Sequence, residues 1–393
     1  MISFLVRPWV LVPFIACSLS VPSTYAKDLI IPKPPQAAAR AYILIDAKTG
    51  HVLVEENADE QLPPASLTKI MTSYIVADEL SSGKLGEQDK VYITDDAWRR
   101  GGTSSGGSTM FVKPRTEVSV IDLLRGVIIQ SGNDASIALA QHVSGSEEAF
   151  ADVMNQTAAL LGMSSTHFVN STGWPADTHL TTARDLSLLA KATINDHPDY
   201  YKLYAEKSFE YNGIRQDNRN SLLFRDSSVD GLKTGHTEAA GYCLVSTAQK
   251  DGMRLIAVVL GARSMEARAV ESQKLLSYAF RYYETHNVIQ GGQAIQQAKV
   301  WKGLHNQVAL GVSKDIALTI PRGSAEDLEV TTEVLSTIKA PLQQGQVLGS
   351  ISVSYSGDQL YKGDIVALND VAEAGFFARL WDSLMLFING FVQ

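Results

Sequence analysis

The amino-acid sequence predicts an α/β (α+β) domain with a central antiparallel sheet and a helical subdomain, followed by a small all-β domain and a C-terminal amphipathic helix. Three observations lead to this prediction. Helical and strand-like apolar patterns alternate from the Pro-rich residues 31–35 to about residue 285. From 287 to 370, short runs of alternating apolar and polar residues are typical of β-strands. After residue 370, large apolar side chains recur at helical spacing.

The length of the chain agrees with this organisation, because 393 residues suffice for a large core and a second domain. The sequence-based boundaries are 1–26 for a signal peptide, 27–285 for the larger domain, 286–370 for the β-rich domain and 371–393 for the helix.

The N-terminal segment is predicted to be a secretory signal peptide. It carries Arg7, a mostly apolar stretch from 9 to 21, and the small-residue cleavage site Thr24-Tyr25-Ala26. A lipoprotein signal at Cys17 is an alternative, but Phe14 is a poor residue for such a signal. We therefore expect an exported protein that is cleaved after Ala26.

Within the larger domain, β-rich and helical patterns alternate. The predicted strands are 41–45, 51–54, 241–246 and 254–260, and the predicted helices include 67–80 and 120–129. The first two strands are joined by a turn that contains Gly50, which predicts a hairpin. The last two are almost entirely apolar, as expected for the centre of a sheet.

Composition excludes several classes of protein. Without the signal peptide the chain has 33 Lys plus Arg against 42 Asp plus Glu, a net charge of −9, which argues against a nucleic-acid partner. Only Cys243 then remains, so no internal disulfide is possible, and its apolar strand predicts an inert core residue. No Cys/His cluster has metal-ligand spacing, and the Gly-rich residues 101–108 lack a phosphate-binding lysine pattern. We expect no cofactor.

Three short motifs occur in a fixed order, and they are Ser66-Leu67-Thr68-Lys69, Ser131-Gly132-Asn133 and Lys233-Thr234-Gly235. Each motif alone is a weak signal. Ser-x-x-Lys also occurs at 81–84 and 336–339, and Lys-Thr-Gly also occurs at 48–50. The 48–50 copy lies at the predicted hairpin tip, and the 81–84 copy lies in a glycine-containing loop that closes a helix. Local context therefore favours the first three.

Ser66 follows Pro63-Pro64-Ala65 and is predicted to open a buried helix. Residues three apart on a helix share a face, so Lys69 is expected to place its amine beside the Ser66 hydroxyl. The positive end of the helix dipole would favour an oxyanion there. The alternative is an ordinary N-cap serine followed by a solvated lysine.

The other two motifs support the first interpretation. Ser131-Gly132-Asn133 follows the predicted helix 120–129, whose end can project these side chains into a cleft. Lys233-Thr234-Gly235 precedes the two central strands, and an edge strand at that position can line a substrate. Together the motifs match the pattern of active-site serine enzymes that recognise penicillin, with Gly132 in place of Asp.

Residues around the motifs carry a more specific resemblance. These are 64–72, 125–135, 212–216, 230–237 and 318–323. With them, the chain resembles the low-molecular-mass D-alanyl-D-alanine carboxypeptidases, the type-5 penicillin-binding proteins of peptidase family S11, over nearly the whole mature sequence. The resemblance implies a domain like the DD-peptidases and β-lactamases, and a reaction that releases D-alanine from stem pentapeptides of peptidoglycan.

The expected chemistry is attack by Ser66 on the bond between two D-alanines, which leaves an acyl-enzyme. Lys69 is the expected base, and burial together with the cation Lys233 must lower its pKa from about 10.4. Ser131 is expected to pass a proton to the leaving amine. The expected substrate-binding residues are Asn133, Lys233, Thr234, Gly235, His236 and Arg268.

Two of these roles rest on the resemblance. It implies an oxyanion hole formed by the backbone N–H groups of Ser66 and His236, and it matches Arg268 to an arginine that orients this region. A lone arginine on a helix is equally consistent with a surface salt bridge. Lys69 and Ser131 both remain open as the group that activates the deacylating water.

Other reactions on the same residues agree less well with the sequence. A Ser-His-Asp arrangement with His167 or His236 is disfavoured, because no Gly-x-Ser-x-Gly element is present and a lysine base is already available. A class A β-lactamase would need a glutamate in 164–194, which contains none. DD-endopeptidase activity, weak β-lactamase activity and a non-catalytic penicillin-binding scaffold remain alternatives.

The C-terminal segment predicts an amphipathic helix. Its apolar stripe consists of Phe376, Phe377, Leu380, Trp381, Leu384, Met385, Ile388 and Phe391. The segment is shorter than the ~20 apolar residues of a spanning helix. A helix docked on the protein core is one interpretation, and an in-plane anchor on the periplasmic face of the inner membrane is the preferred one. The expected partners are stem peptides, β-lactams and this membrane surface, and the sequence leaves the oligomeric state open.

Overall fold

The structure is a computed structural model that describes residues 30–389. The signal-peptide prediction and Phe391 lie outside the described residues. The described chain alternates helices and strands as far as residue 282 and is mainly β-structure from there to residue 373, in agreement with the predicted fold class.

The strands, in chain order, are β1 (Ala41–Asp46), β2 (Val52–Glu56), β3 (Lys90–Tyr92), β4 (Glu117–Ser119), β5 (Ser208–Tyr211), β6 (Ile214–Asp217), β7 (Val229–Thr237), β8 (Gly241–Lys250), β9 (Met253–Ala262), β10 (Tyr283–Ile289), β11 (Ala294–Trp301), β12 (Gln307–Gly311), β13 (Ile316–Pro321), β14 (Leu328–Val334), β15 (Ile338–Lys339), β16 (Val347–Tyr355) and β17 (Asp358–Ala367).

The α-helices are α1 (Lys69–Ser81), α2 (Asp95–Gly101), α3 (Val120–Ile128), α4 (Asn133–Ser144), α5 (Glu147–Leu160), α6 (Ala183–Asp196), α7 (Pro198–Tyr201), α8 (Leu222–Arg225), α9 (Met265–Tyr282) and α10 (Phe376–Asn389). Side-chain caps define several N-termini. Ser119, Ser146 and Ser264 each accept a hydrogen bond from the third backbone N–H of α3, α5 and α9, respectively.

The larger domain is built on a five-stranded antiparallel sheet in the order β2-β1-β9-β8-β7. Its central strands β8 and β9 are buried along most of their length because helices cover the sheet, which explains their continuous apolar sequence. The fully buried Leu67, Ile70 and Met71 belong to the core of this domain. Strand β7 is the last strand at one end of the sheet. It has one edge without a neighbouring strand, and this edge faces a cleft.

The C-terminal domain contains a six-stranded sheet in the order β14-β16-β17-β12-β11-β15 and the separate pair β10 and β13. Its own core includes Val308, Leu310, Ile351 and Ile365. Strand β10 begins at Tyr283, directly after α9, whereas the sequence-based boundary lies at residue 286.

The two β-structures meet at the β1–β2 turn. Asp46 at the end of β1 is fully buried, and its Oδ2 accepts hydrogen bonds from the hydroxyls of Thr285 at 2.5 Å and Thr319 at 2.8 Å. The hydroxyls of Thr49 and Thr319 lie 2.6 Å apart. The Lys-Thr-Gly copy at 48–50 is therefore a turn that contacts the C-terminal domain.

Helix α10 exposes large apolar side chains. These are Phe376, Phe377, Leu380, Trp381, Leu384, Phe387 and Ile388, and each is at least 46% exposed. The Asp382 carboxylate contacts the C-terminal domain by accepting a hydrogen bond from the backbone N–H of Lys302. Within residues 30–389, no helix combines the length and apolar character needed to cross a bilayer.

Candidate active site

Ser66 lies in a cleft of about 590 Å³ between the edge strand β7 and the helical part of the domain. It belongs to a 3-10 helix, Ala65–Thr68, and α1 begins only at Lys69. The expected α-helical start at Ser66 is therefore a tighter turn. Because side chains three residues apart eclipse each other in a 3-10 helix, Ser66 and Lys69 still face each other. The Lys69 Nζ lies 3.1 Å from the Ser66 Oγ.

A close backbone approach fixes this turn. Ala65 has a φ of 50°, in the left-handed region that residues other than glycine rarely adopt. Gly173, with a φ of 87°, packs so closely that a Cβ atom there would lie 1.8 Å from the Ala65 carbonyl oxygen. Ser66 is not the N-cap of the 3-10 helix or of α1, so the interpretation of this serine as an ordinary N-cap is wrong.

Lys69 is fully buried, and its amine has three neighbours at hydrogen-bond distance. Its Nζ lies 2.7 Å from the Asn133 Oδ1 and 2.6 Å from the Thr172 carbonyl oxygen, in addition to the Ser66 hydroxyl. A neutral amine has two N–H donors and one lone pair. When the donors bind Asn133 and Thr172, the lone pair is directed at the Ser66 hydroxyl, as a general base requires.

Burial lowers the pKa of Lys69 from 10.5 to about 7. The negative charges of Asp134 and Glu147 oppose this effect, whereas the positive charge of Arg219 adds to it. A substantial fraction of Lys69 is consequently neutral near pH 7. No neighbouring base is needed to remove its proton.

Ser131 and Lys233 form the second half of the site. The Lys233 Nζ donates a hydrogen bond to the Ser131 Oγ at 2.9 Å, and both side chains are buried. Burial lowers the pKa of Lys233 well below its ordinary value, and the positive charges of Lys69, Arg219 and Arg268 lower it further. Ser131 has a φ of 60° in the short turn between α3 and α4.

A buried carboxylate holds this turn against the cleft rim. Asp134 accepts hydrogen bonds from the backbone N–H groups of Met110 at 2.8 Å and Val112 at 3.1 Å, and from the Thr109 hydroxyl at 2.7 Å. The residue also lies in the first turn of α4, where a negative charge interacts favourably with the helix dipole. Asp134 thus fixes the neighbouring Asn133 that contacts Lys69.

Strand β7 supplies the opposite wall with Thr234, Gly235 and His236. Arg268 on α9 is only 6% exposed and donates a hydrogen bond to the Gly235 carbonyl oxygen at 3.1 Å. The surface salt bridge considered from the sequence is therefore not the environment of Arg268. His236 is exposed, and its ring stacks on Tyr242 with ring centres 4.0 Å apart.

The structure brings together all nine residues expected at the site. Seven of them line the cleft, while Lys69 and Lys233 lie directly behind Ser66 and Ser131. Three further contributors were missed. They are the Thr172 carbonyl group, Arg219 and Trp174. A backbone carbonyl leaves no signal in a sequence, and Arg219 lies just beyond the segment 212–216 that carries the family resemblance.

His167 and His179 do not form a serine triad with Ser66. His167 is exposed, and its Nδ1 lies 3.0 Å from the Thr178 carbonyl oxygen. His179 is buried beside Thr68 and accepts a hydrogen bond from the Val169 N–H. Burial lowers the pKa of His179 to about 4, so it is neutral at pH 7.

Two family models match the chain. Residues 29–264 match the family described as D-alanyl-D-alanine carboxypeptidase, peptidase S11, and residues 283–373 match the C-terminal domain of penicillin-binding protein 5. The chain belongs to the D-alanyl-D-alanine carboxypeptidase family. The predicted family and fold are thereby confirmed, and the chain is a serine-type hydrolase of that family.

Individual relatives extend over both domains. The chain is 44% identical to the D-alanyl-D-alanine carboxypeptidase DacA of Escherichia coli over 94% of each chain. It is 45% identical to DacC of the same organism, over 94% of this chain and 92% of the relative. Penicillin-binding protein 5 of Haemophilus influenzae has a solved structure that matches with a TM-score of 0.83 and 40% identity, covering 87% of this chain and all of that one.

A more distant structure bears on ligands. Penicillin-binding protein D2 of Listeria monocytogenes, solved in its ampicillin-bound form, matches with a TM-score of 0.57 and 30% identity. It covers 63% of this chain and all of the Listeria chain.

Proposed function

We propose that the chain removes the terminal D-alanine from peptidoglycan stem pentapeptides, with Ser66 as the nucleophile and Lys69 as its base. The observation that carries this proposal is the position of the Lys69 amine. It is buried, lies 3.1 Å from the Ser66 Oγ and has two other acceptors to occupy its N–H groups. Family membership supplies the substrate class.

In the first step, the Ser66 oxygen forms a bond to the carbonyl carbon between the two D-alanines while its proton passes to Lys69. The negative charge then rests on the former carbonyl oxygen, for which the backbone N–H groups of Ser66 and His236 are the proposed donors. The C–N bond breaks next, and the departing amine takes a proton from Ser131, which regains one from the protonated Lys69, so that Lys69 is neutral again in the acyl-enzyme. Lys233, 2.9 Å from Ser131, would stabilise the oxygen that gives up this proton.

The terminal carboxylate of the substrate needs a cationic or hydroxyl partner near the leaving group. Thr234 and Arg219 line the cleft, and Lys233 lies behind it. These three residues are the proposed carboxylate site. Asn133, held by Asp134, would bind an amide of the substrate. Water then attacks the ester and gives a proton to Lys69 or Ser131, and the shortened peptide leaves as the Ser66 oxygen takes that proton back.

Covalent labelling tests the nucleophile. Intact-mass measurement after incubation with a β-lactam should show one adduct on the wild type and none on Ser66→Ala, because the ester bond needs the Ser66 oxygen. Ser81→Ala, which alters the other upstream Ser-x-x-Lys copy, is the matched control and should retain the adduct. An undiminished adduct on Ser66→Ala would overturn the assignment.

Product analysis tests the substrate. A stem pentapeptide should yield free D-alanine and a tetrapeptide, whereas Ser66→Ala should yield neither. The same enzyme is then given cross-linked muropeptides. Faster cleavage of the cross-link than of the pentapeptide would replace the carboxypeptidase proposal with a DD-endopeptidase, and penicillin labelling without either product would indicate a non-catalytic scaffold.

We also propose that α10 anchors the exported enzyme on the periplasmic face of the inner membrane. Seven large apolar side chains are exposed on this helix, and such a surface is unfavourable in water. Insertion of this face into a lipid interface would bury it at about 25 cal/mol per Å². Electrostatic attraction contributes little to membrane binding, because Arg379, the one basic residue of the helix, pairs with Glu373.

Deletion of the residues after Ala374 tests the anchor, and it keeps the buried Val371 in the C-terminal domain. The shortened protein should leave the membrane fraction and keep its turnover of a soluble D-Ala-D-Ala peptide. Continued association with membranes would contradict the anchor. A collapse of turnover would instead assign the helix to the structural core of the protein.

A further inference from the structure

Glu147 is a buried carboxylate close to the site that the reaction itself does not use. It is the first residue of α5 and is 4% exposed. Its Oε1 accepts hydrogen bonds from the Ser171 N–H at 3.0 Å and the Ser171 hydroxyl at 2.7 Å. Its Oε2 lies 2.6 Å from the Nη2 of Arg100, whose side chain is 45% exposed. All of the strong interactions of this carboxylate are therefore with these two residues.

The Ser171 contact leads directly to Lys69. Ser171 precedes Thr172, whose carbonyl oxygen lies 2.6 Å from the Lys69 Nζ. The following residues Gly173 and Trp174 line the cleft. Asn170 closes this turn from the other side, since its Oδ1 accepts hydrogen bonds from the backbone N–H groups of Thr172, Gly173 and Trp174. Glu147 and Asn170 together determine where the Thr172 carbonyl points.

The Arg100 contact leads to a second segment that borders the cleft. Arg100 belongs to the last turn of α2, which ends at Gly101. Gly101 packs so closely on the backbone of Asp134 that a Cβ atom would lie 2.2 Å from its nitrogen. The chain then continues to residues 105–107, which line the cleft beside Trp174 of the Gly173 turn. One carboxylate thus connects two segments that border the same cleft.

The charges around Lys69 come from several elements. Asp134 on α4 and Glu147 on α5 are negative, and Arg219 before α8 and Lys233 on β7 are positive. His179, which follows the Gly173 turn, also interacts with Lys69 and is neutral at pH 7. Arg100 screens Glu147 from the outer side and also contacts Asp96. Among these groups, Glu147 and Asp134 are the two that favour the charged form of Lys69.

We propose that Glu147, paired with Arg100, is a positioning residue for this reaction: it fixes the turn that presents the Thr172 carbonyl to Lys69, and it places a negative charge behind that lysine. The inference rests on the proposed role of Lys69 as the proton acceptor. Glu147 does not act as a hydrolytic base itself, because both of its oxygens are occupied and it does not line the cleft.

Two substitutions should act in opposite directions. Glu147→Gln keeps an oxygen for Ser171 but removes the charge, so the neutral form of Lys69 is favoured and the pH midpoint of β-lactam acylation should fall by roughly 0.5 to 1 unit. Arg100→Gln removes the cation that compensates Glu147, so the midpoint should rise by a smaller amount. Arg99→Gln, on the same helix, is the matched control and should leave the midpoint unchanged.

The measurement is the rate constant of acylation between about pH 5 and about pH 9, with thermal unfolding as a check of folding. A purely structural role would slow both variants without moving their midpoints apart. Unshifted midpoints, or shifts of the same sign, would overturn the inference. If Glu147→Gln does not fold, the alkaline shift of Arg100→Gln decides the question alone, because that side chain is half exposed.

Failure of the inference and failure of the proposed function can be distinguished. If Lys69 is not the base, the wild type itself shows no rise of acylation with pH near 7. If Lys69 is the base and only the inference is wrong, the wild-type profile keeps its midpoint and the profiles of the two variants coincide with it.

Discussion

The sequence Lys-Thr-Gly occurs twice in the same five-stranded sheet, and the two copies have different environments. Residues 48–50 form the turn between β1 and β2, with Lys48 exposed and its amine bonded to Asn287 of the C-terminal domain. Residues 233–235 lie within β7 at the opposite edge, with Lys233 only 2% exposed and bonded to Ser131. The first copy joins two domains, and the second lines a reaction site.

The difference shows that burial, more than residue type, gives this motif its chemistry. A lysine in water remains protonated at neutral pH and gains little from one neighbour. Lys233 is removed from water and lies among three other positive charges, so its proton is held weakly. The paired strand β8 and the serine turn create this environment, and neither is part of the motif.

The largest expected effect is a difference in acylation rate between substitutions of Lys233 and Lys48. Lys233→Ala should lower the rate constant of β-lactam acylation by about 10²-fold or more, because Ser131 loses its buried cationic partner. Lys48→Ala should leave that rate unchanged. Both are measured by stopped-flow or by adduct mass against time. Similar losses in the two variants would contradict the different roles assigned to Lys233 and Lys48.

The next prediction concerns the pH dependence that burial creates. The pKa of Lys69 is lowered to about 7, and only the neutral amine accepts a proton, so acylation should rise about tenfold per pH unit below this value and level off above it. Lys69→Arg should be nearly inactive at every pH, since a guanidinium group stays charged. Near-normal acylation by Lys69→Arg would exclude the lysine base.

The smallest expected effects come from the two threonines, and they should appear in different measurements. Thr234→Val should lower kcat/KM for a D-Ala-D-Ala peptide by about tenfold through the loss of one hydroxyl from the carboxylate site. Thr49→Val loses the contact with Thr319, which should lower the free energy of unfolding by about 1 kcal/mol without changing kcat/KM. Chemical denaturation and steady-state kinetics check both variants. A kinetic effect of Thr49→Val would mean that the domain junction influences the cleft.

The sequence was sufficient to predict the central sheet and the β-rich domain, and it named nine residues that the structure places around one cleft, because these features have strong local signals. Strands β8 and β9 are continuous apolar runs, and the serine, amide and lysine groups occur in short motifs. The N-terminal turn of α1 was less predictable. The left-handed backbone at Ala65 gives a 3-10 start there, and its cause is a contact with Gly173, more than 100 residues later in the chain.

The parts that were not predicted act through the backbone or across long distances in sequence. The Thr172 carbonyl that binds Lys69 carries no residue-specific signal. Glu147 comes from a helix outside the segment searched for a glutamate, and it reaches the site only through Ser171. Arg219 reaches the site because the segment before α8 returns to the cleft. Such contacts depend on tertiary packing, which a periodicity or a motif does not report.

The position of β7 at the end of the sheet has a consequence for self-association. An uncovered edge strand can pair with the edge of another molecule, and charged side chains that point inward are one protection against such pairing. Lys233 is an inward-pointing charge on β7, and the opposite edge strand β2 ends in the exposed Glu55 and Glu56. Strand β7 is also buried from Gly231 to Gly235, so the packing that encloses the cleft keeps most of this edge from pairing with a second copy of the chain.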